Sequence, residues 1–111
     1  MSRLATIAPE FVTEVEVALV GEGRAALSEQ LQFVEIDHLT YYERDDAGYI
    51  HFVRPPSSPR FAKLASPVAE TVAFHAERGF NVDVDRDGNL FGVELLDRGE
   101  LTAKLTAGNA A

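Results

Sequence analysis

Phe80-Asn81-Val82-Asp83-Val84-Asp85-Arg86-Asp87-Gly88-Asn89-Leu90-Phe91-Gly92-Val93-Glu94-Leu95-Leu96 is the stretch on which the fold turns. Phe80, Val82 and Val84 alternate with Asn81, Asp83 and Asp85, the period of two that a strand with one buried face requires. Asp87-Gly88 is a hairpin signal, and Asn89 to Leu96 resumes an apolar, β-prone run. The segment therefore predicts two paired strands turning at Asp85-Arg86-Asp87-Gly88. Val82 and Val84 are expected to enter the core, and Asp83 and Asp85 to face water.

A second template fits the same residues. Asp83, Asp85 and Asp87 fall at positions one, three and five of an EF-hand calcium loop, Gly88 at six and Glu94 at twelve. Hard Ca²⁺ takes six to eight oxygens, which this spacing would supply. The loop needs a helix on each side, however. The entering segment alternates like a strand, and Leu90-Phe91-Gly92-Val93 is a poor helix former. The hairpin is preferred, with Asp83, Asp85, Asp87 and Glu94 kept as candidate calcium ligands of the alternative reading, a small-ligand or calcium-binding domain.

Working towards the N-terminus, Glu70 to His75 predicts a strand with Val72 and Phe74 on one face, closed by Glu77-Arg78-Gly79. Pro55 to Pro67 holds four of the five prolines and reads as a loop pinned by Phe61 and Leu64. Tyr49 to Arg54 and the run from Phe33 to Tyr42 are β-formers flanking the turn Glu43–Gly48. Before them, Pro9 suits a first helical turn, and Phe11, Val15, Ala18 and Leu19 lie on one helical face. Gly21-Glu22-Gly23 ends that helix. A second helix, about 24–32, presents Leu27 and Leu31, with Val34 continuing the spacing. In the tail, Leu101 and Leu105 are helically spaced before Ala107-Gly108-Asn109-Ala110-Ala111, which predicts a docked short helix or a frayed end. The expected fold is α+β, one domain over 1–111: an N-terminal αα-hairpin (9–32) packed on a four- to five-stranded, mainly antiparallel β-meander (33–96), then a tail (97–111).

The stretch from Tyr41 to Ile50, taken with Val82 to Leu96, resembles DUF2283, a family of small bacterial proteins of unknown function. Tyr41, Asp46, Ala47, Tyr49 and Ile50 match its first motif, and Asp85, Asp87, Gly88, Gly92, Val93, Glu94, Leu95 and Leu96 its second. Tyr42, Asp45 and Gly48 depart from the family's usual Asp, Ala and Leu, and the 55–67 loop is longer than usual. The resemblance implies a small β-meander and carries over no activity.

Composition narrows the function. Apolar residues at 46% and charged residues at 25% place the chain among globular proteins rather than disordered ones. No cysteine is present, which removes thiolate metal sites and thiol nucleophiles and fits a reducing, cytoplasmic setting. No signal-peptide run and no membrane-spanning run is seen, so no membrane association is expected. A net charge of −8 argues against nucleic acid. The acid is concentrated: Glu10 to Asp46 holds ten carboxylates against two arginines, whereas Arg54 to Lys63 has three basic residues and no acid. An acidic surface of this kind suits a basic protein partner.

No catalytic residue and no cofactor is assigned. Ser57-Ser58 lies between prolines rather than on a nucleophile elbow, and Gly21-Glu22-Gly23 lacks the third glycine of a dinucleotide loop. His38, His51 and His75 each sit in an expected strand, where two neighbours are candidates to share zinc, although isolated strand histidines more often serve as cross-strand partners. Tyr49, His51 and Val53 oppose Ile50 and Phe52, and Phe91 adjoins Leu90. A two-sided sheet of this kind favours a homodimer over a monomer covered by the loop and tail, with Tyr49, His51, Val53 and Phe91 as interface candidates. The leading expectation is a non-enzymatic protein-interaction or regulatory module.

Overall fold

Pro9 opens the long N-terminal helix at its first turn, where a missing N–H costs nothing. In the computed structural model, which describes residues 2–53 and 68–110, this helix is α2 (Pro9–Gly21), preceded by a single turn, α1 (Leu4–Ile7), and followed by α3 (Ala25–Gln30). Five strands and a last helix complete the chain: β1 (Ile36–Tyr42), β2 (Ala47–Phe52), β3 (Val68–Val72), β4 (Phe80–Asp85), β5 (Leu90–Leu96) and α4 (Gly99–Ala110). The fold is α+β with an all-antiparallel sheet, as the pattern of periodicities required. The proline-rich loop, with Phe61 and Leu64, lies outside the described residues.

The helical face read from spacing is the buried one. Phe11, Val15, Ala18 and Leu19 are in the core, joined by Val12, while Val17 and Val20 stand 63% and 57% exposed on the outer side. Leu27 and Leu31 are buried and Val34 packs against the core. The tail docks as a helix: Thr102 and Leu105 are buried, and Thr102 packs over Gly48 of β2. Asn109 near its end accepts a hydrogen bond from the Ser2 amide (3.1 Å), tying the two ends of the described chain together.

Sheet order is β1-β2-β5-β4-β3, so β2 pairs with β5 and not with the strand that follows it. Ile50, Phe52, Val82, Val84, Val93 and Leu95 supply the core side. Phe80 is the hinge of that core, with Phe11 of α2 edge-on at 5.7 Å and Phe74 tilted at 5.1 Å.

Polar ties close the outside. Arg98 forks onto Glu14 of α2, donates to the Arg78 carbonyl (2.7 Å) and lies 5.6 Å over the Phe11 ring. Gln30 of α3 grips the β4–β5 turn from both sides, accepting from the Leu90 amide (2.8 Å) and donating to the Gly88 carbonyl (3.2 Å). Gln30→Ala strands both backbone groups and is expected to lower stability by about 1–2 kcal/mol. The readout is a lower urea midpoint at unchanged slope.

Three boundaries differ from the expectation. β3 runs over Val68–Val72 rather than 70–75, because the Phe74 amide turns to the Asn81 side chain (3.1 Å) and a 3₁₀ turn at Ala76–Arg78 follows. β1 begins at Ile36, leaving Phe33 outside the sheet and exposed, with Arg3 5.9 Å above its ring. α1 carries no signal in the sequence, since four residues are too few to show a period.

Candidate functional site

The 80–96 segment is the expected hairpin, and its register shows what its acids do. Asp85 is the correction: it does not face water but is 8% exposed. Its Oδ1 accepts the Asp87 and Asn89 amides, both at 2.9 Å, while the Asp85 amide donates to the Asn89 carbonyl. A three-residue loop with Gly88 left-handed (φ 78°) needs such an acceptor for its orphan amides. Asp83, half-buried, is not a free solvent group either. It accepts from Tyr49 Oη (2.5 Å) and Thr71 Oγ1 (2.6 Å).

These partners belong to the sheet face turned away from the helices. Across the strands His38 pairs with His51, His51 with Gly92, Gly92 with Asp83 and Asp83 with Thr71, and paired residues share a face. The neighbouring row is Thr40, Tyr49, Glu94 and Asn81. Thr40 Oγ1 lies 3.2 Å from His51 Nε2, and Asn81 donates to Glu94 (3.0 Å). Tyr49 crosses over Gly92 to reach Asp83, where an added Cβ would lie 2.5 Å from the tyrosine hydroxyl. Burial, then the bond to Asp83, holds the Tyr49 hydroxyl far above its ordinary range. Burial, then the stacked His38, holds the His51 imidazole below its own, with Asp37 pulling the other way.

A matching tie stands at the first turn. Asp46 adopts the left-handed region (φ 46°) and accepts from Tyr41 Oη (2.6 Å), which pushes the Tyr41 hydroxyl upward. The two motif positions thus meet as a turn brace.

Of the interface candidates, Tyr49 and His51 lie together on the open face. Val53 is exposed just past the end of β2, and Phe91 is half-buried beside a bulge between β4 and β5. The face is not the second apolar surface expected of it: tyrosine, histidine, threonine, asparagine and acid line most of it.

The calcium candidates are dispersed by the hairpin. Asp83 and Glu94 are bonded within the open face, Asp85 caps the turn and Asp87 is exposed at its tip. Among the described residues no three His, Cys, Asp or Glu side chains are placed to hold an ion. Two of the three histidines do come together. His38 and His51 stack with centroids 4.0 Å apart and planes 7° from parallel, so their in-plane lone pairs cannot converge on one metal. His75 is remote from them, beside an open depression of about 320 Å³ that it lines with Glu22, Ala73, Phe74 and Arg78.

The family model for proteins of unknown function named DUF2283 matches residues 38–97, more than half of the chain. The chain belongs to the DUF2283 family. No curated protein and no solved structure matches it. The DUF2283 segment starts within β1 and ends one residue past β5, so it contains both rows of the open face and leaves out α1 to α3 and α4. Several DUF2283 motif positions acquire a physical role here: Tyr41 with Asp46, Tyr49 over Gly92, Asp85 in the turn. Among the described residues no helix is long and apolar enough to cross a membrane. The residues that spacing alone did not bring out are Thr40, Thr71 and Asn81, ordinary strand polars whose partners come from other strands.

Proposed function

We propose that this protein is a non-enzymatic interaction module that pairs with a second copy through the open face of its sheet and offers its acidic surface to a basic protein partner. One observation carries the reading: the polar groups of that face are bonded to one another across three strand pairs and, through Tyr49, from β2 over β5 to β4. Thr40 with His51, Tyr49 and Thr71 with Asp83, and Asn81 with Glu94 are already partnered, so covering the face strands few of them. Tyrosine and histidine give it broad, stiff contact area. Chemistry on a substrate asks for the opposite arrangement, groups left unspent and aimed into a cavity. The acidic surface is the remainder of the molecule's −8 charge, with Glu10, Glu22, Glu29, Glu35, Glu43 and Asp45 all exposed.

Thr40→Arg tests the face. It places a long charged side chain at the β1 end of the open face, beside His51, and is expected to turn a dimer into a monomer in sedimentation velocity. Val17→Arg, on the outer side of α2, is expected to leave the dimer intact. Wild-type chain that sediments as a monomer at every concentration, or equal behaviour of the two variants, refutes the reading.

A further inference from the structure

The row His38, His51, Gly92, Asp83, Thr71 spans all five strands and has its midpoint on the central one. Its chemistry is unequal about that midpoint, with two imidazoles on one side and a carboxylate on the other. Two sheets can pack face to face about two simple two-fold axes. An axis running along the row lays His51 on His51 and Asp83 on Asp83, like upon like. An axis parallel to the strands through Gly92 exchanges the two sides and lays His51 of each copy on Asp83 of the other. Only the second is complementary in charge, and it forms the contact twice.

We propose that the second copy docks about a two-fold axis parallel to the strands through Gly92, and that its two His51–Asp83 contacts place the dimer under proton control. This rests on the self-pairing read above and adds its register and its regulation. Three features of the face support it. Asp83 uses its oxygens on Tyr49 and Thr71 (2.5 and 2.6 Å) but has lone pairs left for one more donor. The Tyr49 ring lies over Gly92, so two tyrosines meet at the axis and fill the centre of the aligned packing. His51 borders the axis on β2 as Asp83 does on β4, each one strand from β5.

The sign of the proton effect follows from what surrounds His51. From β1 it meets His38, stacked at 4.0 Å, and the charge of Asp37. Along its own strand it meets Tyr49 at 4.7 Å, and β5 opposite it offers only Gly92. In the separate chain burial and His38 resist its protonation. A carboxylate from the second copy favours it. Association therefore takes up protons and tightens as pH falls. The window between pH 8 and 6 brackets the ordinary imidazole range, and substitution of His51 separates its share from that of other groups.

Sedimentation equilibrium of the full chain at pH 8 and pH 6 is expected to show the dimer tightening on the order of tenfold or more, one decade for each pKa unit gained. His51→Gln is expected to abolish that gain, and His75→Gln to keep it. Because the chain has no cysteine, introduced thiols report the register directly. A mixture of His51→Cys and Asp83→Cys chains is expected to cross-link through a short bismaleimide more readily than either variant alone. A dimer disrupted by Thr40→Arg yet indifferent to pH, or His51→Cys chains cross-linking chiefly to themselves, overturns this inference and leaves the self-pairing standing. A monomer at all concentrations and at both pH values removes both.

Discussion

Gly92→Val is expected to destabilise the protein by about 2–3 kcal/mol, and the same substitution in a Tyr49→Ala chain to cost nothing or to stabilise it. The reason is the ring of Tyr49. It occupies the space above Gly92, 2.6 Å from where a Cβ would place itself, on its way to Asp83. Any side chain at 92 drives the ring outward. The hydrogen bond to a charged acceptor is then lost, about 1.5–3 kcal/mol, together with the burial of half a tyrosine. With Tyr49 already alanine, nothing stands in the way, and valine contributes its better strand propensity, up to about 1 kcal/mol. Urea unfolding of the four chains of this cycle measures the coupling, expected at about 2 kcal/mol or more. Equal cost in both backgrounds would mean that Gly92 is required by the backbone and not by Tyr49.

Phe80→Ala is expected to cost about 3–5 kcal/mol, the largest effect of any single substitution considered. Phe80 is 1% exposed and meets α2 through Phe11, whose ring stands at 87° to its plane. Removing it leaves a cavity bounded by a helix and a sheet that hold each other in place, and neither can close on the gap alone. Set against a total of about 5–15 kcal/mol for a domain, the loss is a large fraction of the stability. Val20→Ala, at a position 57% exposed, is expected to change stability by less than about 0.5 kcal/mol. Guanidinium unfolding of both variants separates a cavity from a general sensitivity of the helical layer.

Both predictions concern residues whose weight differs in how visible it is along the chain. Phe80 opens a strict alternation and is legible as core from its neighbours. Gly92 reads only as a weak point in a strand, because the ring that requires it arrives from a residue 43 positions earlier, across a strand pairing. Asp85 shows the same limit in another form. Alternation assigned it to water, but the turn that Gly88 makes leaves two amides needing an acceptor, and Asp85 is the side chain within reach. The resemblance to DUF2283 identified the strands around both motifs without saying what their polar positions touch.

Local periodicity was enough to place α2, α3 and the β4–β5 hairpin and to say which side of each is buried, but not to show α1 or the polar character of the open face. Phe11, Val15, Ala18 and Leu19, or Val82 and Val84, carry that information within a few residues of one another. Strand order, the pairing of β2 with β5 and the alignment of His38, His51, Gly92, Asp83 and Thr71 in one row were decided only in three dimensions. Side-chain period says which face a residue is on, but hydrogen-bond register between distant strands says who stands beside it. The polar face of this sheet is made entirely of such neighbours.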